Sequence, residues 1–167
     1  APNEDGMSYE ENARKKARFY ASSSGLPCIA EDSGLEVEAL QGRPGLRSAR
    51  YAGDGSSDCD KIVSLLRELS GVGSDQRRAR YVCVAVLSVP GRGEWMARGE
   101  CQGQILDSPT GGGGFGYDPV FFVPSLGRSM AELSREEKCR MSHRGEALVR
   151  LALPISRQGA LEGWQRR

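Results

Sequence analysis

Three stretches of this chain carry residue types that can do chemistry. Ala30-Glu31-Asp32-Ser33-Gly34-Leu35 places two adjacent carboxylates and a hydroxyl beside a glycine. Hard oxygen donors of this kind suit Mg2+, which in turn holds phosphates. The same composition also makes an ordinary acidic turn. Gly111-Gly112-Gly113-Gly114-Phe115-Gly116-Tyr117-Asp118-Pro119 would let backbone approach a flat ligand. Phe115 or Tyr117 would stack on a base, and Asp118 would accept from a ring N–H. The apolar run Val120-Phe121-Phe122-Val123 follows at once and argues against a flexible linker. Gly-Lys-Ser/Thr is absent, so this is not a Walker A loop. Ser142-His143-Arg144-Gly145 opens a helical segment, a place that suits an anion or a base edge. His143 is the only histidine, and no acid partners it in the sequence, so it is not read as a general base.

The elements that must position these groups follow from hydrophobic period and stop signals. Residues 28–30 and 35–40 read as two short strands with the acidic run as a break between them. Ser8-Tyr9-Glu10-Glu11 is a capping box for a helix running to about Ser23, stopped by Gly25 and Pro27. Ala13, Ala17 and Ala21 form its small apolar stripe. Asn12, Lys16 and Tyr20 share the neighbouring face, so Lys16 points either at the edge of a sheet or into solvent. Ser57 caps a helix to Leu69 with Ile62, Val63, Leu66 and Leu69 as its buried stripe. Residues 81–89 read as a central strand buried on both faces. Residues 94–106 read as its partner, with Gly99 and Gly103 marking bends or close backbone approach. Ser134-Arg135-Glu136-Glu137 is a second capping box. The last helix presents Ala147, Leu148, Leu151 and Ala152, and Pro154 ends the ordered pattern. A frayed tail follows, in which Trp164 would dock.

Composition narrows the function classes. The 167 residues fit one domain with a real core, read as residues 1–154 plus a tail of 155–167. With 23 basic against 22 acidic residues, the net charge of +1 gives no reason to expect nucleic acid or an anionic membrane as partner. No apolar run reaches membrane-spanning length, and no signal-peptide pattern opens the chain. The five cysteines are scattered and form no C-x-x-C pair, so neither a zinc site nor a disulfide framework is indicated. They read as reduced, mostly buried thiols in a cytosol-like, cytoplasmic compartment. The chain opens at Ala1-Pro2-Asn3 without Met and looks like the middle of something longer.

Five pieces stand in one order: Gly6 to Ala17 with Glu11-Asn12-Ala13 and Lys16-Ala17; Ala30-Glu31-Asp32-Ser33-Gly34-Leu35; Gly45 with Ser48-Ala49-Arg50-Tyr51; Phe115-Gly116-Tyr117-Asp118-Pro119; and Ser142-His143-Arg144. This ordered set resembles the inosine triphosphate pyrophosphatase family, also called Ham1-like. The resemblance implies an α/β fold of two lobes around a long, curved, mixed sheet flanked by helices, with the active site in the cleft, and a homodimer. It implies Mg2+-dependent hydrolysis of a purine nucleoside triphosphate (ITP, dITP or XTP) to monophosphate and pyrophosphate, which keeps deaminated purines out of DNA and RNA.

Carried over by position, Asp32 matches the acid that binds metal and takes the water's proton, and Glu4 matches a second metal-binding carboxylate. Lys16 matches a phosphate contact and Ser33 a substrate contact. Phe115, Gly116, Tyr117 and Asp118 match the base-binding segment, while Lys138, His143 and Arg144 match further base and phosphate contacts. Arg144 or a nearby backbone N–H is the candidate reader of a 6-oxo group, since a mismatched exocyclic group leaves a buried partner unpaired.

The family opens with a strand and a Thr/Ser-x-x-Asn-x-x-Lys phosphate loop that these residues lack. An N-terminally truncated form is therefore expected, with weakened triphosphate hydrolysis and an exposed sheet edge favouring self-association. The alternative is a non-catalytic nucleotide-binding or dimerising remnant. Ser142-His143-Arg144 and Phe115-Gly116-Tyr117-Asp118 argue against the related Maf-type pyrophosphatases.

Overall fold

Arg78–Val89 is the strand around which the chain folds, and its alternating side chains are buried on both faces. The computed structural model describes residues 2–157, with side chains through Leu153. Its helices are α1 (Tyr9–Ser24), α2 (Asp58–Glu68), α3 (Arg135–Met141) and α4 (His143–Arg157). Its strands are β1 (Cys28–Val37), β2 (Arg78–Val89), β3 (Gly93–Ile105), β4 (Phe121–Val123) and β5 (Arg128–Ser129). Short 3-10 turns connect them, including one over Gly45–Arg50.

One face of β2 presents Val82, Val84 and Val86 to Tyr9, Ala13 and Ala17 of α1. The other presents Cys83, Ala85, Leu87 and Val89 to Ala147 and Leu151 of α4. At the other end of the strand, Ala79 and Tyr81 join a larger core built with Leu35 and Val37 of β1, Leu65 of α2 and Phe121 of β4. The core of the described residues therefore falls into three clusters along one sheet. The small residues of α1 let it lie close on the valines, as the Ala13, Ala17, Ala21 stripe predicts.

Two expectations about the sheet need correction. The sheet order is β1-β2-β3-β4-β5, and among the described residues every pairing is antiparallel rather than mixed. Each strand pairs with its successor, and the chain reverses direction between them. The acidic run is also not a break between two strands. β1 is one continuous ten-residue strand, paired residue by residue with β2 from Cys28 opposite Ser88 to Val37 opposite Ala79. No break is needed, because alternation sends Glu31 and Asp32 to opposite faces, where each meets its own cation.

The helix ends follow local chemistry with small departures. Ser8 Oγ accepts from the Glu11 N–H at 3.1 Å, but the Glu11 carboxylate accepts from Met7 N–H at 2.7 Å, one residue before the expected box. Gly25, at φ 68°, closes α1 in the left-handed conformation. In α2 the 3.6-residue period buries Ile62 and Leu65 and leaves Val63 exposed, so Val63 does not belong to the stripe. Arg77, in the charged run before β2, is buried. It donates to the Val72 and Leu69 carbonyls at 3.0 and 3.1 Å, beyond the C-terminal end of α2.

The backbone of α4 stays helical through Pro154 to Arg157, so Pro154 does not end it. Its buried face is Ala147 and Leu151, while Leu148 and Ala152 are not buried. Residues 158–167, with Trp164, lie outside the described residues. All five cysteines are free. Cys83 and Cys101 are buried, and Cys59 and Cys139 are exposed, so the thiols are not mostly buried.

Gly99 and Gly103 are sites of close approach, as expected. A Cβ at Gly99 would overlap the His143 carbonyl and the Ala147 amide, because the first turn of α4 lies directly on β3. A Cβ at Gly103 would meet the Phe121 ring and the Phe122 carbonyl. Gly99→Val is expected to lose about 2 kcal/mol of stability by overpacking against backbone that cannot yield. Urea melts of the variant beside the parent check this.

Candidate functional site

Asp32 and its neighbours Glu31 and Ser33 build two half-sites, one on each face of β1. On the α1 face, Asp32 Oδ1 accepts from Lys16 Nζ at 2.8 Å and Oδ2 from Asn12 Nδ2 at 3.2 Å. Lys16 Nζ also reaches Glu4 Oε1 at 2.7 Å. The four-residue spacing of Asn12 and Lys16 sets both on one side of α1. Asn12 Oδ1 accepts from Gly6 N–H at 2.8 Å, and Arg50 donates to the Glu4 carbonyl at 3.1 Å, which together tie the segment before α1 to the cluster. Burial raises the Asp32 carboxyl above the ordinary carboxylate range, against the pull of Lys16 and Asn12.

On the α4 face lies a cavity of about 810 Å³. Ser33 lines it from β1, and Phe115, Gly116, Tyr117 and Asp118 line it from the glycine-rich loop. Lys138 of α3 and His143 and Arg144 of α4 complete the expected set. Tyr81 forms the floor, stacked on the His143 ring with centroids 4.6 Å apart. The structure thus gathers eight of the sequence-predicted site residues around one hollow. Asp32, Glu4 and Lys16 do not line it; their side chains meet behind it, across the strand.

The loop's roles are now distinct. Tyr117 is buried, and its hydroxyl donates to the Ser48 carbonyl at 2.9 Å, so it belongs to the wall rather than to a stacking surface. Phe115 is 62% exposed and is the ring free to stack. Asp118 is buried, with both oxygens engaged. Oδ1 accepts from Tyr81 at 3.2 Å, and Oδ2 accepts from Lys138 Nζ at 2.9 Å and Phe115 N–H at 3.2 Å. Asp118 therefore organises the loop, in place of the expected free acceptor for a ring N–H. Gly114, at φ 82°, must be glycine, because a Cβ there would overlap Asp118 and Lys138. Gly116 N–H donates to Asp58 Oδ2 at 2.6 Å, which joins the loop to the start of α2.

Arg144 donates to Glu31 Oε1 from both Nε and Nη2, at 3.2 and 2.8 Å, and its guanidinium stands 5.4 Å from the Phe115 ring centroid. His143 is buried, and its Nδ1 is a buried polar atom without a hydrogen-bond partner among the described residues. Burial, aided by the Arg144 charge, pushes its pKa down to about 4, so the ring is neutral near pH 7. Ser48 Oγ accepts from Leu35 N–H at 2.8 Å and donates to the Gly45 carbonyl at 2.6 Å, tying the 3-10 turn to β1.

Sequence reading grouped Glu31 with Asp32 as adjacent carboxylates for one cation, whereas the strand sets them on opposite faces with separate partners; it passed over Asn12 and Tyr81 as functional positions. The period of two along β1 was the available signal for Glu31, and the i, i+4 relation to Lys16 was the signal for Asn12. Among the described residues no group of three or more His, Cys, Asp or Glu side chains converges as a ready metal cage. Asp32 and Glu4 offer hard oxygens held by one shared lysine. This donor set suits Mg2+, which is commonly held by one or two carboxylates plus phosphates and water.

The fold is an α/β domain with a buried acid on one face of an edge strand and a cation-lined hollow on the other. The chain belongs to the Ham1 family, whose model matches residues 1–153. It is 50% identical over 156 residues to a dITP/XTP pyrophosphatase of Geobacter sulfurreducens, covering 93% of this chain and 78% of the relative. It is 52% identical over 162 residues to the dITP/XTP pyrophosphatase of Methylococcus capsulatus, covering 96% and 79%. The solved Ham1 protein of Staphylococcus aureus superposes with a TM-score of 0.88 at 42% identity, covering 95% of this chain and 81% of that one. A Ham1 protein of Coxiella burnetii gives 0.86 at 40%, covering 93% and 80%.

His143 generates a pH prediction. Its folded pKa of about 4 lies below the ordinary 6.5, so between those values the unfolded chain binds a proton that the folded chain does not. Stability should fall as pH drops from 6.5 towards 4, by about 3 kcal/mol from this group. His143→Phe keeps the stacking and should flatten that part of the slope. Urea melts of both proteins between pH 7 and 4 give the comparison.

Proposed function

We propose that this protein hydrolyses deaminated purine nucleoside triphosphates, namely dITP, ITP and XTP, to the monophosphate and pyrophosphate. The observation that carries the reading is the adjacency of Asp32 and Ser33 on one edge strand. A single residue step separates the buried acid from a hollow of base-binding character. Relatives at about half identity that are named dITP/XTP pyrophosphatases support the same substrates.

In this reading the base enters the α4-face cavity and stacks on Phe115. Lys138, Arg144 and backbone N–H groups supply donors for a 6-oxo group, where adenine's amino group would leave them unpaired. Neutral His143, stacked on Tyr81, is part of the wall that the base meets. The polyphosphate passes around the β1 edge to Lys16, whose charge offsets that of the phosphates. Asp32, held in place by Asn12 and Lys16, accepts the proton of the attacking water. Asp32 and Glu4 would hold Mg2+, which when bound supplies charge neutralisation and a more acidic water.

A homodimer belongs to the same reading and is supported by exposed apolar side chains near the β1 edge, among them Phe19, Tyr20, Leu26 and Ile29. A cytoplasmic setting is supported by the five free cysteines. Among the described residues no helix is long and apolar enough to cross a membrane.

The test is pyrophosphate release from dITP, XTP, dATP and dGTP with Mg2+. The parent should turn over dITP and XTP well above the other two, and chelation of the metal should stop it. Asp32→Asn should cut kcat by about a thousandfold while KM changes little, because the general base is lost and the cavity is not. Nucleotide binding without pyrophosphate release by the parent would instead support a non-catalytic nucleotide-binding domain.

A further inference from the structure

Glu31, which holds the cavity-lining Arg144, has no part in the mechanism proposed above. It directly precedes Asp32 in the sequence, and among the described residues it shares no hydrogen bond with the Asp32 cluster or the glycine-rich loop. Its side-chain partners are Arg144, Cys83 and Ser33. Oε1 accepts from Arg144 Nε at 3.2 Å and Nη2 at 2.8 Å, and Oε2 accepts from the Cys83 thiol at 3.3 Å. Cys83 is fully buried in β2, directly opposite Ser33. One carboxylate thus links a fixed point in the central strand to the second residue of α4.

We propose that Glu31 is a positioning residue for base selectivity, holding the Arg144 guanidinium against Phe115 so that its remaining donors face the base and its charge is not free for the phosphates. The inference rests on the nucleotide reading above.

Three observations carry it. First, two guanidinium nitrogens are already committed to one Glu31 oxygen, which sets the plane of the group. Second, that plane stands 5.4 Å from the centroid of Phe115, the ring left exposed at the mouth of the cavity. Third, without Glu31 the only other side-chain acceptor on Arg144 among the described residues is Ser33 Oγ, at a long 3.4 Å from Nη2. Arginine has several rotatable bonds, and a single long hydrogen bond does not hold it in one orientation. An unpaired arginine beside the cavity would also be drawn to the polyphosphate, a contact every nucleoside triphosphate offers alike. Pairing with Glu31 turns a general anion contact into a base-reading one.

The test compares the parent, Glu31→Gln, Glu31→Asp, Arg144→Ala and the Glu31→Gln/Arg144→Ala double variant in steady-state hydrolysis of dITP and dATP. Glu31→Gln should raise KM for dITP about tenfold and lower kcat less than about threefold, with the dITP over dATP preference in kcat/KM falling about tenfold. Glu31→Asp, which keeps the charge, should recover part of the preference. Glu31→Gln should add almost nothing to Arg144→Ala, since it acts through that residue.

An unchanged dITP over dATP ratio in Glu31→Gln overturns the proposal. So does a full additional loss in the double variant, or a kcat collapse like that of Asp32→Asn. Thermal melts identify a variant that has lost its fold; should Glu31→Gln be one, the comparison of the parent with Glu31→Asp and Arg144→Ala decides, and an unchanged dITP over dATP ratio in Glu31→Asp together with a full loss in Arg144→Ala overturns the proposal. If the parent releases no pyrophosphate from dITP, the hydrolytic reading fails by itself. Calorimetric titration with IMP and AMP then tests Glu31 directly, with loss of IMP preference expected in Glu31→Gln and an unchanged preference overturning it.

Discussion

The two-residue period of β1 is the constraint on which the site depends. Side chains on a strand alternate between faces, so Glu31 and Asp32 cannot share one environment. Two carboxylates buried side by side would raise each other's pKa and resist desolvation together. Divided by the sheet, each meets a different cation on a different helix. Lys16 of α1 takes Asp32, and Arg144 of α4 takes Glu31. These two ion pairs, with Asn12 and Cys83 behind them, join the helices of both layers to a single edge strand.

Close packing gives this arrangement its accuracy. Gly34 has no side chain, and a Cβ there would press on Tyr9 Oη at 2.7 Å and Ser48 Oγ at 2.9 Å, so the 3-10 turn can approach β1 only at a glycine. Gly99 does the same for α4. The first turn of that helix rests on β3, which delivers His143 onto Tyr81 and Arg144 into reach of Glu31. Asp118 ties the remaining wall together, joining Tyr81 of β2, Lys138 of α3 and the Phe115 amide through one buried carboxylate. Contacts of this kind fix the cavity wall through the protein's own side chains, which would limit the ordering cost of binding a flat ligand.

In the proposed mechanism, the division of the site between two faces would also separate recognition from chemistry. The base-reading groups would come from the loop, α3 and α4, and the acid and its lysine from β1 and α1. Changes in one set would then alter affinity or preference without touching the proposed proton acceptor in the other. The stacked, neutral His143 fits that division: its low pKa follows from burial in the wall and not from contact with the acid.

Local signals in the sequence were sufficient for much of this. Caps at Ser8, Ser57 and Ser134, the alanine stripe of α1, the doubly buried β2 and the close approaches at Gly99 and Gly103 are all properties of neighbouring residues or of spacing, and all are present. The ordered motifs marked the family and eight residues of the cavity. Other features depend on what lies across the sheet. Whether 28–37 is one strand or two turned on cations arriving from α1 and α4, 16 and 113 residues away in the chain. Phe115 and Tyr117 are equivalent candidates by type; only the Ser48 carbonyl and the core decide that Tyr117 is wall and Phe115 is the free ring. Asp118 looks like an open acceptor until Tyr81 and Lys138 are seen to occupy its oxygens. Residue types and periods determined the elements and their hydrophobic faces, because these depend on short-range geometry. The pairing of each buried charge was decided by tertiary structure, because desolvation is offset only by whichever opposite charge the fold brings within about 3 Å.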